Sequence, residues 1–242
     1  MKRIGAVLLG AWGLLGGCQP SSAPEVELVQ IAAGTVRYQL PAAAQSVTEQ
    51  VAALRIMQRQ VSAAEYAVCV RAGGCAAVAA NEAAAGEHPV VGLSWLDATA
   101  YARWLSAVSG HLYRLPRYAE WLQAVGEAYV VDPALEADPR NPARRWLAEY
   151  AREALRMPPS LALLRFAEQG RSVSGALGVA DNVWEWTDSC FAGASAADGF
   201  CGIRIAAGRH PSALTDFIRD PVSGACSVGT PPSHVGLRLV RE

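Results

Sequence analysis

The chain has almost no net charge. Its 21 Lys and Arg stand against 22 Asp and Glu, a formal balance of -1 over 242 residues. Without a global basic field there is nothing to favour nucleic acid. Histidines are few, and His88, His111, His210 and His234 are scattered. They read as structural or surface residues, and zinc is a weak alternative because the cysteine spacings are not finger-like. Beyond the N-terminus no apolar run is long enough to cross a bilayer, and no internal repeat points to a solenoid or propeller. Apolar residues nevertheless make up 52% of the chain. That supports a sizeable core and argues against disorder.

The N-terminus reads as an address. Met1-Lys2-Arg3 is a basic head, Ile4 to Leu15 is apolar, and Leu15-Gly16-Gly17-Cys18 leads into polar Gln19-Pro20. The run is too short to span a membrane and has the layout of a secretory signal. Small residues before a cysteine resemble a bacterial lipobox, in which Cys18 would carry lipid and become the first mature residue. An ordinary signal peptide with an incidental cysteine is the other reading. Gln19 after the cysteine resembles the outer-membrane sorting pattern. Several acyl chains on Cys18 would suffice for stable anchoring. The organisation expected is a signal peptide over 1–17, a tether over 18–27 and one domain over 28–242, held to the outer membrane on its periplasmic side.

Export suits the remaining cysteines. Cys69 and Cys75 close a small loop, Cys190 and Cys201 close a Gly/Ala-rich one, and Cys226 is left over, either free or exchanged with one of those four.

The densest motif is Asp181-Asn-Val-Trp-Glu-Trp186. On an extended chain Trp184 and Trp186 share one face, with Val183 and Glu185 on the other. A glutamate between buried indoles is costly unless it is paired or ligates a cation. A core strand with a structural glutamate and a cation- or partner-binding feature both satisfy that demand.

Strands are expected over Val26–Val36, with a turn at Ala33-Gly34, and over Leu54–Val61. Ser62-Ala-Ala-Glu65 forms a capping box for a short helix to Gly73, followed by a loop over Ala76–Glu87. A second helix starts at Ser94, with Tyr101, Trp104, Leu105 and Val108 as a core stripe, and ends at Gly110. A third starts with Pro116 at its first position and carries Tyr118, Trp121, Leu122 and Val125. Val130–Gln169 is insertion-like, with an amphipathic helix over Ala143–Arg156. Ile203–Ala207 and Val235–Val240 close the chain as strands, the latter half-exposed because it alternates apolar and basic residues.

In this order Gln60-Val-Ser-Ala-Ala-Glu-Tyr66, Pro89-Val-Val-Gly-Leu-Ser-Trp95, Asp97-Ala98, Ala102-Arg-Trp-Leu105, Tyr113-Arg-Leu-Pro116, Ala119-Glu-Trp121, Asn182-Val-Trp-Glu-Trp186 and Gly236-Leu-Arg-Leu-Val240 resemble the formylglycine-generating-enzyme family, the sulfatase-modifying-factor domain. The resemblance covers most of the mature chain. It implies a single α+β domain related to the C-type-lectin fold, with helices around a small twisted antiparallel sheet and much irregular structure.

Family enzymes oxidise a substrate cysteine to formylglycine with oxygen, using copper(I) held by two cysteines, and thiolates suit that soft ion. The corresponding window, Ala206 to Phe217, contains no cysteine. Ser212 and Phe217 stand where the thiols should be, and Cys226 is a lone candidate nearer the end. Copper is therefore not expected. Arg209, His210, Asp216 and Arg219 cluster in the same window, as an ion-paired loop or a polar pocket for a partner. The resemblance also implies calcium near the tryptophan motif. Gly178 falls where a side-chain ligand is usual, and Asp181 replaces a glycine. A displaced site of Asp181, Asn182, the Val183 carbonyl and Glu185 remains open. A related branch performs iron-dependent sulfoxide chemistry with an additional helical domain and clustered histidines, and this chain has neither.

The function expected is a lipid-anchored periplasmic module without catalysis, binding an exported or membrane-associated protein. Anchored relatives look like parts of secretion or maturation machinery. The alternative is a formylglycine-type oxidoreductase acting on an exported client, and a glycan-binding lectin ranks below both. One consequence is directly measurable. Cys18→Ser should abolish metabolic labelling by a palmitate analogue and move the chain out of the membrane fraction.

Overall fold

The computed structural model describes residues 24–38, 46–78, 86–126, 163–179, 182–190, 201, 204–208 and 234–242. Strands β1 (Leu28–Ile31), β2 (Gly34–Tyr38), β3 (Val47–Val51) and β4 (Leu54–Met57) precede helices α1 (Ala63–Arg71) and α2 (Trp95–Ser109). Strand β5 (Tyr113–Arg114), helix α3 (Tyr118–Val125) and a 3-10 turn at Phe166–Glu168 come next, before β6 (Trp184–Cys190), β7 (Arg204–Gly208), β8 (Val235–Gly236) and β9 (Val240–Arg241).

The α+β class expected from the sequence holds, and among the described residues the strands fall into three sheets. A four-stranded sheet runs β1-β4-β9-β5, a ribbon pairs β2 with β3, and a third sheet runs β7-β6-β8. The pairings are antiparallel except β6 with β8, which is parallel. The first expected strand breaks at Ala32-Ala33, so that β1 pairs with β4 while β2 pairs with β3. The second stops at Met57. Gln60 beyond it is wholly buried.

Local chemistry fixes the helix starts. Ser62 and Glu65 exchange the reciprocal bonds of a capping box, as do Ser94 and Asp97, removing two orphan N–H groups each time. Gly110 ends α2 at φ 71, a left-handed position that suits glycine. The third helix starts two residues later than its proline suggests. Arg117 is the N-cap and still extended, at ψ 156, and the Glu120 carboxylate accepts its N–H. Pro116 is tied elsewhere, its carbonyl accepting from Asp188 of β6.

Tyr101, Trp104 and Leu105 enter the main core with Tyr66, Trp186, Leu237 and Leu239. Val108, expected in that stripe, is 39% exposed because the last turn of α2 runs past the core. Tyr118, Trp121 and Val125 pack on Ile205 and Ala207, and Leu122 is partly buried beside them. The disulfides Cys69–Cys75 and Cys190–Cys201 are both formed. The first closes the end of α1, where a Cβ on Gly74 would collide with the Trp104 indole. Its short loop contributes about 2 kcal/mol by chain entropy. The region 127–162, with the expected Ala143–Arg156 helix, lies outside the described residues, as does most of the loop after Val78.

Two arginine clasps hold the helix starts. Arg59 grips Glu65 in bidentate fashion, at 2.8 and 2.9 Å, and Arg114 grips Glu120 at 2.7 and 2.9 Å. Burial pushes both carboxyls up. Hydrogen bonds from Arg59 and Ser62, and from Arg114 and the Arg117 backbone, outweigh it and hold both below their usual value of 4.5. A depressed folded value means that the unfolded chain binds more protons in acid. This stability is therefore complete above the ordinary carboxylate range and is lost as pH falls through the lower folded values. Urea midpoints measured against pH should drop in that acid window for the wild type and drop less for Glu120→Gln.

Candidate functional site

Strand β6 is extended, so successive side chains leave on opposite faces. Trp186 enters the main core and donates its Nε1–H to the Leu93 carbonyl at 2.8 Å. Trp184 is partly buried against the same cluster. Glu185 points the other way and is completely buried.

Its carboxylate accepts four N–H groups. Gln60 Nε2 and Arg238 Nη2 donate to Oε1 at 2.7 and 2.9 Å, and Trp121 Nε1 and Arg238 Nε donate to Oε2 at 2.9 and 3.0 Å. Arg238 also donates to the carbonyls of Met57, Gln58 and Leu177. The Gln60 amide gives a second bond to the Gly178 carbonyl at 2.9 Å. One carboxylate thus ties together the segment before α1, helix α3, strand β6 and the C-terminal stretch. Removing two ions from water costs several kcal/mol each, which only good geometry and full hydrogen bonding offset. Both conditions are met here, with each side chain 1% exposed.

The half-exposed reading of the terminal stretch is therefore corrected. The stretch forms the short strands β8 and β9 joined by residues 237–239 without regular structure, and Arg238 is buried against Glu185. Three of the four calcium candidates lie among the described residues. Both oxygens of Glu185 are committed to N–H donors. Asn182 Oδ1 accepts from Leu164 N at 2.8 Å, and its Nδ2 donates to Leu164 O at 3.2 Å. The Val183 carbonyl faces β7, where a Cβ on Gly208 would come within 3.0 Å of it. Asn182 and Glu185 thus spend their side-chain oxygens on different protein donors. Asp181 lies outside the described residues, and among the described residues no three His, Cys, Asp or Glu side chains gather as a metal site.

The remaining candidates, Cys18, Arg209, His210, Ser212, Asp216, Phe217, Arg219 and Cys226, also lie outside the described residues. The flanks of their window are clear. Gly208, the last residue of β7, pairs with Trp184, and so does Val235, the first of β8. The Trp184 N–H donates to the His234 carbonyl at 3.0 Å. Residues 209–233 therefore leave and rejoin the fold at Trp184, next to the carboxylate that pins β6.

Sequence reasoning missed Gln60, Trp121 and Arg238 as the partners of Glu185. One signal was available, an arginine between two leucines in an otherwise apolar terminal run, which matches the demand of a buried carboxylate for a cation. Glu185→Gln and Arg238→Met should each destabilise by about 3–5 kcal/mol, because each leaves an uncompensated buried group. The double variant should cost well under the sum, a coupling that a double-mutant cycle in urea would read.

The sulfatase-modifying factor enzyme 1-like domain matches residues 17–242. A formylglycine-generating enzyme of Streptomyces coelicolor is 32% identical over 109 residues, a span of 43% of this chain and 33% of that protein. The fold is similar to the crystal structure of CarF, with TM-score 0.55 and 19% identity over 90% of this chain and 98% of that one. PvdO from Pseudomonas aeruginosa gives 0.55 and 19% over 90% and 94%, and variable protein 1 of Treponema denticola gives 0.56 and 17% over 88% and 94%. With a match over nearly its whole length, the chain belongs to the sulfatase-modifying factor enzyme 1-like domain family.

Proposed function

We propose that this protein is a lipid-anchored periplasmic accessory of the sulfatase-modifying-factor type, serving binding, assembly or maturation of an exported or membrane-associated protein rather than catalysis. The observation that carries the reading is the contrast between frame and window. The family motifs are present in order. The stretch Ala206–Phe217, where the copper-holding thiols of the family's enzymes belong, contains no cysteine. Serine and phenylalanine at 212 and 217 offer no thiolate for a soft cation. The sequence Leu15-Gly16-Gly17-Cys18 supports the anchor, and the Cys69–Cys75 and Cys190–Cys201 bridges agree with an oxidising compartment.

The second reading, a formylglycine-generating oxidoreductase, rests on Cys226. A lone thiol near the expected site keeps it alive, since a thiolate is the group that binds copper and reacts. Incubating the full chain with copper(I), oxygen, a thiol reductant and cysteine-containing peptides separates the two. The accessory reading expects no aldehyde detectable with an aminooxy probe, and in cells it expects discrete photo-crosslinked species with membrane or exported proteins. Aldehyde formation that Cys226→Ser abolishes would replace the accessory reading with the enzymatic one.

A further inference from the structure

The family resemblance implies calcium at the tryptophan motif, and the residues standing there do not suit it. We infer that the charge opposite Glu185 in this chain is a permanent, covalently attached one, the Arg238 guanidinium, and that Glu185 binds no calcium.

Three observations converge. The first is occupancy. The four N–H groups on Glu185 stand at 2.7–3.0 Å and use both oxygens. A carboxylate has about four lone-pair sites, so a metal ion would have to expel the donors.

The second is charge. Calcium affinity follows the number of charged oxygen ligands. Glu185 is already neutralised by Arg238, and Asn182 spends its amide on the Leu164 backbone. Among the described residues, the buried side-chain oxygens without a partner are Gln60 Oε1 and Gln169 Oε1. They are the one feature here that would suit a cation, but both are neutral amide oxygens. The Gln60 amide also touches the same Glu185 oxygen as Arg238 Nη2. A divalent ion on Gln60 would thus sit beside a buried guanidinium, in an interior where like charges repel with little screening.

The third is space. Gly178 stands where the family usually places a ligand side chain. Its φ is +62, and a Cβ there would collide with Gln169 Oε1 and lie 3.2 Å from Gln60 Nε2. The room for that side chain is taken by the two glutamine amides, and the Gly178 carbonyl faces Gln60.

The test compares thermal melts of the full chain and of Glu185→Gln, each in excess EGTA and in millimolar calcium. A specific ion at a hundredfold excess over its Kd would raise the Tm of a domain this size by roughly 5–10 °C. The inference expects no calcium-dependent rise in the wild type. A rise that Glu185→Gln abolishes would overturn it. A rise equal in both would assign the ion to other residues and leave Glu185 with Arg238. Should Glu185→Gln fail to fold, terbium(III) serves as a calcium-sized probe excited through nearby indoles. The inference expects no calcium-displaceable emission that depends on Trp184. Emission from the wild type that calcium displaces and Trp184→Phe removes would overturn it.

Discussion

Glu185 sits inside the protein with no water to solvate it, and this condition shapes the middle of the fold. A lone carboxylate there would be prohibitively costly. It is tolerated because Arg238 meets it with two N–H groups, Trp121 and Gln60 supply one each, and the guanidinium is itself satisfied by backbone carbonyls. Those donors come from three separate parts of the chain. Each must be in register for the charge to be covered, so the arrangement specifies one packing of β6 against α3 and the C-terminal stretch.

Features governed by neighbours in sequence were legible. The capping boxes at Ser62/Glu65 and Ser94/Asp97 need only residues three apart, and both form as read. The near cysteine pairs join within short loops. The indole of Trp186 goes to the core because its face of β6 has nowhere else to be buried. Other readings failed where a distant residue decides. Pro116 suggested a helix start, but its carbonyl accepts from Asp188 of β6, and the helix begins only after Arg117. Alternation in Leu237-Arg238-Leu239 suggested a surface face, yet Glu185, far away in sequence, pulls the arginine inside. Spacing along the tryptophan motif likewise said nothing of the donors that Gln60, Trp121 and Arg238 bring to Glu185.

The same geometry explains how a family framework can persist while its reactive stretch changes. Among the described residues, β6 is held by Glu185 with Arg238, Gln60 and Trp121, and by the Trp186 indole. That stretch departs after Gly208 and returns at His234, both beside Trp184. Its ends are therefore fixed by backbone pairing that asks for no particular side chain within it. The four donors on Glu185 and the Trp186 indole come from residues outside that stretch. The described frame is thus held by groups distinct from the window, and family membership fixes the fold while the reaction has to be argued from the residues of the site itself.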